Sequence, residues 1–255
     1  MKRFANIMLA AGIMGITFSA FAADNISPAE RTKIETVVHE YLLKNPQVLI
    51  EVMQILQKKQ VDQAQQAVKL TQKAAPSFAK DLFHMSSDPI GGNPNGTVTV
   101  VEFFDYKCPH CIEMTPIMDE VIKSNPDIRV VYKIFPIQGP ISDFAARAAL
   151  AANLQGKYSA FSHALLTSGK PLTEELILET AKNAGLDVSK LKKDMDSSSI
   201  KNQIQAIIKL AQDLKLFGTP ALFVGKTSAN GKEAIEYIPG RADAAQLQNL
   251  IDKAK

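Results

Sequence analysis

Cysteine is nearly absent from this chain and tryptophan is missing: two Cys and no Trp in 255 residues. Two cysteines cannot build a disulfide framework, and 13 Gly with 13 Pro fall far short of a collagen-like or low-complexity composition. An excess of one charge is lacking as well, since 29 basic against 26 acidic side chains leave a formal +3. So balanced a chain offers no electrostatic footprint for nucleic acid or anionic lipid. A zinc site needs four ligands, yet His39, His84 and His163 stand apart and there is no second cysteine pair. What remains is a 46% hydrophobic chain able to bury a core, whose function has to sit in a localised site.

The first residues give an address. Lys2 and Arg3 precede an apolar stretch from Ile7 to Phe18, too short to span a bilayer comfortably. Ala20-Phe21-Ala22 then supplies the small-x-small pattern of a signal-peptidase site. Residues 1–22 are therefore expected to be a cleaved secretory signal, with no cysteine at the junction for a lipid anchor. Its removal takes the formal charge from +3 to about +1. No later stretch is long and apolar enough for a membrane helix. The expected location is outside the cytoplasm, in a periplasm where disulfides persist; free diffusion and association with the outer membrane both stay open.

In such a compartment a stabilising disulfide closes a long loop. The two cysteines here are Cys108 and Cys111, whose bridge closes almost none, so it is suited to being made and broken. Val98 to Phe104 is a β-branched and aromatic run that reads as a buried strand, followed by a turn at Asp105-Tyr106-Lys107. From Cys108, apolar residues recur at helical spacing until Asn125-Pro126, and Arg129 to Phe135 reads as a second strand. The pair thus opens the helix of a strand-helix-strand unit, where unpaired N–H groups and the positive dipole end favour a thiolate. Cys108 is the expected nucleophile and leaving group, and Cys111, a turn inward, the resolving thiol. His110 adds a polar neighbour that favours the thiolate and makes the disulfide more oxidising, while Pro109 fixes one φ angle. The pair is its own redox group, and no further cofactor or metal is expected. A copper site built on the two soft sulfurs stays open as an alternative.

Glu102-Phe103-Phe104-Asp105-Tyr106-Lys107-Cys108-Pro109-His110-Cys111 resembles the active-site strand and helix start of DsbA-type thiol-disulfide oxidoreductases of the thioredoxin superfamily. The resemblance extends over roughly residues 80–255. Gly218-Thr219-Pro220 before Ala221-Leu222-Phe223-Val224 resembles the family's cis-proline loop, which implies that Thr219 and Pro220 face the sulfurs and bind substrate. The resemblance also implies that Glu102 is a buried acid moving protons at the resolving sulfur; its residues alone leave open a carboxylate facing water. About eighty residues of helical pattern, 137–217, match the helical insertion of that family. Asn230-Gly231 marks a turn before Ala234 to Ile238, and a terminal helix covers Asp243 to Ala254.

Residues 23–76 lie outside that domain. Ser27-Pro28-Ala29-Glu30 is a helix start with a capping box, and Ile34, Val37, Val38, Tyr41 and Leu42 mark one face. After Asn45-Pro46, Val48, Leu49, Val52, Met53, Ile55 and Leu56 cover an arc of about 160° at 100° per residue. So wide a stripe must be covered. Beyond Leu56 the sequence thins to Gln, Lys and Ala; a helix continuous to Ala75 is about 45 Å long, too long to lie on one small domain. The expectation is a helical module that pairs with a second copy, with a Gln-rich stalk, and NPQVL resembles the N-terminal oligomerisation region of a DsbA subgroup. A helix hairpin folded onto its own domain is the alternative.

Together these readings predict an α/β protein with a thioredoxin-like fold and an inserted helical domain (77–255), preceded by an all-helical module (23–76). It is expected to introduce or isomerise disulfides in cysteine-containing exported proteins, served by a membrane redox partner. Metal handling and chaperone-type surface binding on the same scaffold are the alternatives.

Overall fold

A computed structural model of the chain describes residues 26–255, so the leader expected over 1–22 lies outside the described residues. The chain divides after Lys59 into two compact units. In the first, Ser27 accepts from the Glu30 N–H and the Glu30 carboxylate accepts from the Ser27 N–H at 3.0 Å, the reciprocal cap expected of that sequence. It opens α1 (Pro28–Lys44), which buries none of its residues within the chain. The next helix, α2 (Gln47–Ala74), leaves Leu49, Val52, Met53, Ile55 and Leu56 exposed.

The second unit is a five-stranded sheet wrapped by helices. β1 (Ile90–Gly92), β2 (Val98–Phe104), β3 (Ile128–Ile134), β4 (Ala221–Lys226) and β5 (Ile235–Pro239) lie in the order β1-β3-β2-β4-β5. β2 and β3 are parallel, and every other pairing is antiparallel. β2 is central and wholly buried, as its run of β-branched and aromatic residues requires. Because strand side chains alternate, Val98 and Val100 feed one layer and Val101 and Phe103 the other. On the first side they meet Met114, Met118 and Val121 of α4 (Pro109–Ser124) with Leu247 and Ile251 of the terminal helix, α10 (Ala244–Ala254). On the second they meet Leu82 and Phe83 of the short α3 (Ala79–Phe83) and residues of α9 (Ser198–Asp213).

Between β3 and β4 the chain inserts α5 (Pro140–Leu154), α6 (Tyr158–Leu166), α7 (Glu174–Asn183), α8 (Val188–Met195) and α9. α5 is the hub, and its alanines let the other helices approach closely, with Ala145, Ala148, Ala149 and Ala152 fully buried. The end of α2 is fastened to the sheet unit: the Thr71 hydroxyl donates to the Leu214 carbonyl at 2.7 Å, and the Gln72 amide bridges the backbone of Ile235 and Tyr237 on β5. Among the described residues no helix is long and apolar enough to cross a membrane.

Candidate active site

β2 delivers the chain to the carboxyl end of the sheet, and Asp105 turns it. The Asp105 carboxylate, with no exposed surface, accepts from the Lys107 N–H at 2.8 Å and the Ser142 hydroxyl at 2.7 Å. Its other oxygen accepts from the N–H groups of Ile137 and Gln138 at 2.8 and 3.0 Å. One carboxylate thereby ties the β2–α4 turn to the loop after β3, and its own carbonyl accepts from the Cys108 N–H at 3.1 Å. Sequence reasoning placed Asp105 in the turn without a role. The signal that could have found it is an Asp opening a turn directly after a buried strand, a residue type that bonds the backbone two positions on.

Cys108 is the N-cap of α4, with extended backbone, and its carbonyl accepts from the N–H groups of Cys111 and Ile112 at 3.1 Å. Pro109 follows at the first helical position, where its missing N–H costs no helix bond. No side chain caps this end, so the partial positive charge of the first turn is left for the sulfur. The two thiols are free, and at 4% and 2% exposure Cys108 is hardly more accessible than Cys111. Position distinguishes them: Cys108 sits at the helix entrance and Cys111 inside its first turn.

The Thr219–Pro220 peptide bond is cis, and it brings Thr219 to the sulfurs across more than a hundred residues. The Cys108 thiol donates to the Thr219 carbonyl at 3.2 Å. The Thr219 hydroxyl is buried without a hydrogen-bond partner of its own. The loop is held from behind by the Gly240 N–H, which donates to the Pro220 carbonyl at 2.9 Å. Burial pushes the Cys111 thiol far above its ordinary range, with the Asp105 backbone offsetting part of that rise. Glu102 is buried, at 5% exposure, and burial alone pushes its carboxyl up to about 8. Of the two environments the residues allowed, the structure has the buried one.

His110 points outward. Its Nδ1 lies 3.3 Å from a Glu113 carboxylate oxygen that also accepts from Arg241 at 2.5 Å, and the bond to His110, then the charge of Arg241, hold that carboxyl below its usual range. Neither Glu113 nor Arg241 was singled out from sequence. Ile112, next to Cys111, Ile137, whose N–H donates to Asp105, and Phe217, two residues before Thr219, expose apolar side chains, Phe217 at 64%. The structure therefore gathers Cys108, Pro109, Cys111, Thr219 and Pro220 into one site, with Glu102 behind it and His110 at its rim.

Residues 99–252 match the family described as the DSBA-like thioredoxin domain, and residues 30–67 match the N-terminal domain of the copper resistance protein ScsC. A thioredoxin-like oxidoreductase from Silicibacter pomeroyi is 40% identical, with a TM-score of 0.63, over 69% of this chain and 96% of that one. The probable disulfide bond formation protein D of Bacillus anthracis is 31% identical over 68% of this chain and 81% of its own length. The sodium/proton antiporter NhaA 1 of Mycolicibacterium gilvum is 31% identical over 66% of this chain, which spans only 27% of that longer protein.

Proposed function

This chain belongs to the DSBA-like thioredoxin domain family, and from that membership we propose that it is an exported enzyme exchanging a Cys108–Cys111 disulfide with the cysteines of other envelope proteins. The observation that carries the reading is the meeting of three features at one point: a thiol at an uncapped helix entrance, a second thiol buried in the first turn, and a cis-proline loop whose carbonyl reaches the first sulfur.

In the oxidising direction, a client thiolate attacks Cys108 Sγ and the Cys108–Cys111 bond breaks, its electron pair staying on Cys111. A second client thiolate then attacks the client sulfur joined to Cys108, the client disulfide forms, and Cys108 leaves as a thiolate. Two electrons pass from client to enzyme, and a membrane redox partner is proposed to remove them. The helix entrance stabilises the Cys108 leaving group. Burial disfavours the Cys111 thiolate, which must be protonated as it departs. The exposed apolar side chains of Ile112, Ile137 and Phe217 suit unfolded clients, whose apolar side chains are not yet buried. Run backwards, the same steps reduce or reshuffle a wrong disulfide.

Cys108→Ser should abolish exchange with a dithiol peptide. Cys111→Ala should accumulate a mixed disulfide on Cys108, detected by mass. Exchange that survives Cys108→Ser contradicts the reading.

The exposed apolar faces of α1 and α2 are proposed to pair with a second copy, making a homodimer through residues 24–75 that sets two sites around one client. A second reading, copper handling by the two sulfurs, is favoured by the match of residues 30–67 to the N-terminal domain of a copper resistance protein. Stoichiometric Cu(I) retained on purification and lost in Cys108→Ser supports it.

A further inference from the structure

At the rim of the site one carboxylate oxygen is shared by an imidazole and a guanidinium. Glu113 Oε2 lies 3.3 Å from His110 Nδ1, one helical turn back on α4, and accepts from Arg241 Nη1 at 2.5 Å, across 128 residues of chain. Arg241 is placed by the site itself. It follows Gly240, whose N–H donates to the Pro220 carbonyl, and Asp243, two positions on, caps α10. The Glu113–Arg241 pair therefore joins the helix that carries both thiols to the backbone that holds the cis-proline loop. All three side chains are 48% exposed or more, and so exposed an ion pair adds little stability. Its effect has to be sought in the field at the sulfur. The first turn of α4 holds no acidic residue, so Glu113 brings the first carboxylate along this helix, five residues and about 7.5 Å of axial rise from Cys108. A negative charge there opposes the thiolate that the helix entrance favours.

We propose that Glu113 and Arg241 set the oxidising strength of the Cys108–Cys111 disulfide, Glu113 holding it down and Arg241 relieving that restraint, an inference that rests on the reading of the two thiols as the exchanging pair. When a client dithiol reduces the enzyme, two electrons enter the Cys108–Cys111 bond and break it, and the client sulfurs join. Of the two client protons one ends on Cys111 and the other in solvent, while Cys108 Sγ keeps the negative charge. A stronger positive field at Cys108 favours this reduced form and makes the disulfide the better oxidant. Glu113 subtracts from that field directly, and it offsets the charge that His110 carries when protonated. Bonding the ring from the C-terminal side, it also draws His110 along the helix, away from the entrance where Cys108 sits. Arg241 returns a positive charge to the same oxygen.

Glu113 and Arg241 touch neither sulfur nor client and are positioning residues in this scheme. Sign separates a charge effect from a structural one. A pair that acted only as a fastening between α4 and the cis-proline loop would shift the redox equilibrium in one direction whichever half was removed. A pair that acts by charge shifts it in opposite directions. The test is to equilibrate the full-length parent, Glu113→Gln, Arg241→Gln and Arg241→Lys in graded glutathione buffers at neutral pH, at low salt and in about 1 M salt, and to count oxidised and reduced chains by mass after acid quenching. At low salt Glu113→Gln should raise the equilibrium constant for reduction by glutathione about two- to threefold, and Arg241→Gln should lower it about twofold. Arg241→Lys, which keeps the charge, should stay with the parent. In about 1 M salt, where charges are screened within about 3 Å, both shifts should fade. Shifts of the same sign, an Arg241→Lys that behaves as Arg241→Gln does, shifts that salt leaves intact, or parental constants in both charge variants overturn the proposal and leave the exchange reading standing. A parent whose two thiols glutathione buffers neither oxidise nor reduce removes the exchange reading and this inference with it.

Discussion

Asp105 and Glu102 stand three residues apart in buried backbone and solve the cost of burial differently. The Asp105 carboxylate accepts four hydrogen bonds, which replace its lost hydration. Asp105→Ala leaves those donors unpaired, and the expected loss is about 3 kcal/mol or more, read by chemical denaturation; a loss under about 1 kcal/mol contradicts it. Glu102 instead holds its proton, its pKa raised from the ordinary 4.5 to about 8. A folded-state pKa above the unfolded value means that the stability is whole below 4.5 and is lost as pH rises through about 8. Glu102→Gln, which has no charge to bury, should therefore gain stability over the parent between pH 5 and 9, up to on the order of 5 kcal/mol. Denaturation curves of the two proteins that stay parallel across that range contradict this. The placing of Cys108-Pro109-His110-Cys111 at a helix start was legible because it is local. Asp105 was not, because three of its four partners lie 32 to 37 residues further along the chain.

At the scale of elements, the long strands and helices announced themselves by period and punctuation. Val98–Phe104 is a strand at the bounds its composition marks, and the helix opened by the cysteines ends at Ser124, before Asn125-Pro126. β1 was silent: three residues, two of them glycine, carry no alternation, and pairing with β3 makes them a strand. The short α3 and α8 were missed for the same reason, because one or two turns hold too few residues to show a period. In α1 and α2 the apolar pattern was plain and the structure leaves it uncovered within one chain. Leu49→Glu with Met53→Glu should convert the proposed dimer to monomer in sedimentation, with exchange of small dithiol peptides retained. An unchanged sedimentation coefficient contradicts pairing through this face. A truncation made for the same purpose has to stop before Gln60, since Thr71 and Gln72 bond the sheet unit.

Over the whole molecule, sequence identified a thioredoxin-like domain with a helical insertion, and the family match and the mixed sheet agree with it. Sheet order and register were beyond it, because several orders satisfy the same alternation and long-range contacts decide between them. The approach of Thr219 to Cys108, which depends on how β4 lies against β2, was legible through the family resemblance and not through spacing or periodicity. These parts together make one claim: a bridge that closes almost no loop, at a helix entrance, is a working disulfide and not a staple. Its most direct test is to equilibrate the intact protein in graded glutathione buffers and count reduced and oxidised chains by mass after acid quenching. The account predicts one two-electron transition between Cys108 and Cys111, at a potential less negative than the about −300 mV typical of structural disulfides. A pair that stays dithiol throughout, or a bridge that glutathione cannot open, contradicts it.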